Sequence, residues 1–189
     1  EINKMLSVGM LIKKAMKGHV DLLGPATAVA DELMGIPSFD TPDYSELFAE
    51  EKEMIGKLKK VFLMVAGAAI QKFGTELDQH QQLLMAAANI LNEIYMAEST
   101  LLRAEKNAKR FGEVAQEGQI AMAKLYLYNA VEIVTQNGKE GIISFAEGDE
   151  QRMMLMGLKR FTKYSNYPNV IALRNEIAEK LKAANKYCF

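Results

Sequence analysis

One cysteine, Cys188, two histidines and no tryptophan occur among 189 residues. A lone thiol excludes an internal disulfide framework and any multi-cysteine zinc site, and two histidines leave little for a histidine-rich metal centre. No charge sign dominates. Lys+Arg is 23 against 24 Asp+Glu, a net −1, so neither a nucleic-acid footprint nor an acidic tail is present. Long apolar runs are missing too: the longest, residues 61–70, is about half the ~18 residues a membrane span requires. No signal-peptide pattern follows Glu1, and the reading expects a cytoplasmic protein. What remains is 49% hydrophobic and 25% charged residues, a soluble globular composition. The length corresponds to about 1.3 domains of ~150 residues, hence one domain with an appendage or two small ones.

Proline is scarce as well. Pro25, Pro37, Pro42, Pro168 and most glycines fall between periodic stretches, as helix punctuation does. Residues 2–17 read as a first helix stopped by Gly18, and residues 25–34 as a short second one, opened by Pro25 and closed by Gly35. Residues 36–44, with two prolines and two aspartates, form a linker between an N-terminal appendage (1–35) and a main body (45–189).

In the main body, Leu58, Phe62, Val65, Ala69 and Phe73 share one helical face, ended by Gly74. Thr75 and Asp78 form a weak capping box for the next helix. That helix, residues 76–111, carries Leu83, Ala87, Ile90, Ile94, Ala97, Leu101, Ala104 and Ala108 in four-three alternation and would be about 54 Å long at ~1.5 Å per residue. After a connection at 112–118, Ile120, Ala123, Leu127, Ala130 and Val134 define a helix ending at Asn137-Gly138. Residues 139–146 are read as a separate short helix, because no second strand exists for them to pair with. Asp149 N-caps a helix to about Tyr164, and Pro168 opens the last one, with Val170, Ile171, Leu173, Ile177 and Leu181. The fold class is therefore all-α: an up-and-down helical bundle with an N-terminal helical appendage. The small-residue runs 66–69 and 86–88 mark close helix crossings.

Chemistry-bearing constellations are thin. Glu76 and His80 stand four apart and could share a metal or a proton, but a solvated helix face explains them as well. Neither histidine follows a glutamate by three residues, which rejects a ferritin-like di-iron site. No Gly-x-Ser-x-Gly, phosphate loop or His-Glu-x-x-His motif occurs, and Cys188 stands beside the last residue as an ordinary thiol. Met153, Met154 and Met156 read as core or buried-interface filler. Glu50, Glu51, Lys52, Glu53, Lys57, Lys59 and Lys60 read as an exposed mixed-charge face. Tyr126 and Tyr128 are expected to bury one ring at a time. The first helix is the exception to this plain pattern: Met5, Leu6, Val8, Met10, Leu11 and Ile12 cannot all face one partner. Such a helix is buried on more than one side, in this chain or against a surface that this chain lacks.

The opening Glu1-Ile2-Asn3-Lys4-Met5-Leu6 resembles the second half of the acyl-CoA dehydrogenase signature Tyr-Glu-Gly-Thr-Asn-Glu-Ile-Asn-Arg-Leu-Leu, and residues 9–18 are similar to bacterial members. Residues 68–74, 81–84 and 92–103, in that order, resemble the extra helical domain of the very-long-chain subfamily, and Phe189 suits its ending. The resemblance implies a FAD-dependent parent enzyme whose α-proton-abstracting glutamate lies four residues before Glu1, outside this chain, while a hydride passes to the flavin. Glu1 would fall at the end of the segment that touches FAD, so it is the one cofactor-binding residue expected here; no catalytic residue, no metal and no cofactor bound by this piece alone are expected. Lys4 departs from the family's Arg, which puts any ion pair there in doubt. The implied partners are the rest of the dehydrogenase subunit and its dimer mate, with acyl-CoA bound only by the full-length enzyme and no nucleic acid. Some relatives use this region at membranes. The short acidic-polar connection at 112–118 is not a basic amphipathic helix, so weak or absent membrane binding is expected. The rival readings are a free-standing helical interaction module and a small ligand-binding bundle, for which no buried polar cluster is visible.

Overall fold

The computed structural model describes residues 2–35 and 43–189. Glu1 and most of the 36–44 linker lie outside the described residues, which contain no strand. The helices are α1 (Ile2–Met16), α2 (Leu23–Met34), α3 (Ala49–Phe73), α4 (Gln81–Phe111), α5 (Glu117–Phe145), α6 (Gly148–Phe161) and α7 (Val170–Ala184), with 3-10 turns at Gly74–Gln79 and Val114–Gln116.

Cross-helix contacts set the directions. Lys52 pairs with Glu105 and Lys59 with Glu98, so α3 and α4 run antiparallel. Asn107 donates to Gln119 and Asn89 to Asn137, which turns α5 back along α4. Leu158 of α6 packs at Gly138, and Met64 of α3 meets Gly157 of α6, so α6 is antiparallel to both α5 and α3. The four make an up-and-down bundle. Its core is apolar: Leu58, Val61, Val65, Ile90, Ala130, Val134 and Ile142 are completely buried. All eight residues of the four-three seam of α4 are buried, because a 3.5-residue average period keeps one stripe inward over the whole length.

Several boundaries differ from the sequence reading. No Thr75 cap forms: residues 74–79 tighten into a 3-10 turn, Gly74 takes a positive φ of 51°, and α4 begins at Gln81, about 46 Å long. Helix α5 does not stop at Asn137-Gly138 but runs through to Phe145. Glycine normally weakens a helix by ~1 kcal/mol, yet a Cβ at Gly138 would sit 2.8 Å from Leu158 Cδ1 and one at Gly141 3.1 Å from Val65 Cγ1. These glycines are therefore the seats for α6 and α3, not a terminus. Asp149 does not cap α6; it lies in the first turn and pairs with Arg152, and the helix ends at Phe161. At α7 the cap is Asn169, whose Oδ1 accepts from the Ala172 amide. Helix α7 buries no residue fully and rests on α5.

The charged run of α3 is only partly solvated, with Lys52 and Lys59 exposed and Glu50, Glu51, Glu53, Lys57 and Lys60 half-buried. Lys52 reaches Glu105, Lys59 reaches Glu98, Lys60 reaches Glu32 and Glu51 reaches Lys124, so it ties α3 to α2, α4 and α5. Among the clustered methionines, Met154 is buried but Met156 is exposed. Tyr126 and Tyr128 are both half-buried.

A candidate docking face on the first helix

Helix α1 lies on α4 through buried Val8 and Ile12, flanked by half-buried Met5, Leu11 and Ala15. At 100° per residue, positions 2, 6 and 10 fall on the opposite side of the helix. Those positions are Ile2, Leu6 and Met10, exposed by 83%, 57% and 49%. One helix thus presents an apolar stripe inward and a second outward. Scattered apolar residues on a surface are normal, but a continuous row along one helix marks an interaction surface. The C-terminal half of α1 sits over the 3-10 turn, where Gly9, Ile12, Lys13 and Met16 face Thr75, Leu77, Asp78 and Leu84 across a small cleft.

Helix α2 holds this segment to the bundle. A Cβ on Gly67 would lie 2.5 Å from Ala26 Cβ, and one on Gly157 2.5 Å from Leu33 Cδ2, so α2 is seated in two glycine notches on α3 and α6. Glu32 closes the joint. Its carboxylate accepts from Lys60 Nζ at 2.7 and 2.8 Å and lies 3.5 Å from Arg160, whose guanidinium also donates to the Glu32 carbonyl at 3.2 Å. Phe161 lies under both cations, 5.6 Å from Lys60 Nζ and 5.8 Å from Arg160 Cζ, an arrangement that adds cation–π attraction.

The residues singled out in the sequence are scattered. Glu1 lies outside the described residues. Lys4 is on α1 and half-buried. His80 stands at the start of α4 with its ring stacked on Phe73 at 3.8 Å, not paired with Glu76 on the preceding turn. His19 is exposed in the turn after α1. Cys188 is exposed, its thiol 3.8 Å from the Lys180 carbonyl oxygen. Among the described residues, no group of three or more His, Cys, Asp or Glu is placed to hold a metal.

Two features escaped the sequence reading. Glu105 is the one buried charge among the described residues; hydrogen bonds from Lys109 and Lys52 hold its carboxyl below the usual range. Tyr126 donates to Glu93 at 3.0 Å, and burial together with that carboxylate pushes the phenol up to about 12. Lys109 follows Glu105 by four on α4, an i,i+4 pair readable in the sequence, whereas Lys52 and Glu93 reach their partners from other helices and no local motif announces them.

Residues 57–160 match the family model of the acyl-CoA dehydrogenase C-terminal domain. The chain belongs to this family. It is 32% identical over 187 residues to a probable acyl-CoA dehydrogenase of Bacillus subtilis (strain 168), an alignment covering 99% of the chain and 31% of that relative. It also superposes on a crystal structure of acyl-CoA dehydrogenase complexed with FAD from Bacillus anthracis, with a TM-score of 0.90 and 34% identity, over 100% of this chain and 31% of that one. This acyl-CoA dehydrogenase domain thus spans about 31% of the length of the relatives it matches.

Proposed function

We propose that the chain is the C-terminal part of a FAD-dependent acyl-CoA dehydrogenase that introduces an α,β double bond into fatty acyl-CoA thioesters during fatty acid oxidation. In this reading residues 1–35 are the last helix of the catalytic helical domain plus a short helix, 36–44 a linker, and 45–189 an appended helical bundle. Its role is structural: it joins and steadies the rest of the subunit and the dimer mate. The observation that supports this is the outward stripe Ile2, Leu6 and Met10, a second apolar side on a helix whose first side is already packed on α4.

The glutamate that abstracts the α-proton would lie four residues before Glu1. Bound FAD would supply the hydride-accepting chemistry, and of this chain's residues Glu1 alone is assigned to it. This chain's own residues contribute apolar area for docking and the joint at Glu32. Among the described residues no helix is long and apolar enough to cross a membrane; we further infer a cytoplasmic enzyme, weak or absent membrane binding and no nucleic-acid partner.

The test is to express these residues alone and joined to the preceding part of the B. subtilis relative, and to follow FAD retention and flavin reduction by a fatty acyl-CoA. Flavin retention and reduction in the joined protein alone is the expected result. Stoichiometric flavin, or thioester oxidation, in the isolated chain would overturn the assignment of a non-catalytic role. A joined protein that folds but never retains flavin would favour a free-standing interaction module.

A further inference from the structure

A groove of about 550 Å³ lies between the facing stretches of α4 and α5 where the C-terminal tail crosses. This is within the usual size range of small-molecule sites, ~300–1,000 Å³. Its α4 wall carries Ser99, Arg103 and Asn107, which step by four along one helical face; its α5 wall carries Met122 and Tyr126; Tyr187 and Phe189 of the tail complete it.

The lining falls into two kinds. Part of it is fixed. Asn107 donates to Gln119 at 2.7 Å, Tyr126 is anchored on Glu93 at 3.0 Å, and Phe189 packs its ring on Gly118, where a Cβ would meet ring carbons at 2.6 and 2.9 Å. The rest is unspent. Arg103 is the one charged residue lining the groove, and it makes no ion pair or hydrogen bond among the described residues. Tyr187 is 79% exposed and touches only the edge of Phe189, with ring centroids 6.1 Å apart. A guanidinium offers a planar fork matched to carboxylate or phosphate. Exposed aromatic faces beside it offer stacking to a flat ring.

We propose that this groove binds a small aromatic anion, a flat ring carrying a carboxylate or phosphate, with Arg103 on the acidic group and Tyr187 against the ring. The ligand site is independent of the flavin chemistry assigned to the longer enzyme and is present in this chain alone.

The probe is phenyl phosphate, titrated into the isotope-labelled chain and followed by amide and tyrosine ring NMR shifts, with benzoate and inorganic phosphate in parallel. Phenyl phosphate is expected to bind with a Kd on the order of 1 mM, with shifts confined to residues 99–107, 119–126 and 187–189. Arg103→Gln weakens it about tenfold, and Tyr187→Ala, which changes only the tail, weakens it several-fold. Inorganic phosphate, lacking a ring, binds more weakly than phenyl phosphate. Tighter binding of benzoate than of phenyl phosphate assigns a carboxylate ligand, and the reverse a phosphate ester. Absence of saturable shifts below about 10 mM with both aromatic probes, or unchanged affinity in Arg103→Gln, overturns the proposal. Equal binding of inorganic phosphate and phenyl phosphate overturns the aromatic half of it.

Discussion

Helices α1 and α6 are nearly equal in length, 15 and 14 residues, and both pack an apolar stripe on the bundle. They differ on the outside. Helix α6 exposes Asp149, Glu150, Arg152 and Lys159 to water, with Met156 the lone large apolar exception. Helix α1 exposes Ile2, Leu6 and Met10 in a row. The inner faces say only that both helices belong to a core. The outer faces separate a helix with a polar outer side from one with a second apolar side, which the docking proposed above would cover.

The largest expected effect lies on α6. Phe161→Ala removes a ring that is 2% exposed and sits beneath Lys60 and Arg160, and should cost about 3–5 kcal/mol in chemical denaturation through lost transfer and a cavity. Next comes the seat of α2. Gly67→Ala drives a methyl into Ala26 and should cost about 1–3 kcal/mol by overpacking, with hydrogen exchange rising first in residues 23–34. Glu105→Gln should cost about 1 kcal/mol at neutral pH, since Lys52 and Lys109 are substantially exposed and the pairs are screened. Because the folded carboxyl titrates below its ordinary value, its contribution is complete above the usual carboxylate range and is lost as pH falls through the folded pKa. The variant's stability should therefore fall less steeply on acidification than the wild type's. Smallest of all is Leu6→Gln, expected within about 0.5 kcal/mol of wild type in chemical denaturation. A cost near that of Phe161→Ala would mean that the outer face of α1 is packed within this chain, and the comparison would fail.

Much of this was readable in the residues. The α4 seam needed only its period, and the surplus apolar side of α1 was visible because Leu6 and Met10 cannot share a face with Val8 and Ile12. The end of α5 was misread because Gly138 looks like a stop unless Leu158 and Val61 are known to need its space. The caps were misread because His80 and Glu147, which hold the N-cap positions of α4 and α6, give no side-chain cap. The charged run of α3 looked solvated because its partners Glu32, Glu98, Glu105 and Lys124 come from three other helices. The Arg103 groove joins α4, α5 and the tail, a juxtaposition that only the antiparallel return of α5 creates.

The outward stripe of α1 can be read directly by methionine oxidation, since sulfoxide formation follows exposure. Dilute peroxide followed by peptide mass spectrometry should modify Met10 rapidly in the isolated chain and slowly once it is joined to the preceding part of the B. subtilis relative. Met54 and Met64, buried in the bundle, should stay slow in both. An equal rate at Met10 in the two proteins, with the joined one folded and holding flavin, would contradict the claim that the rest of the enzyme covers this face.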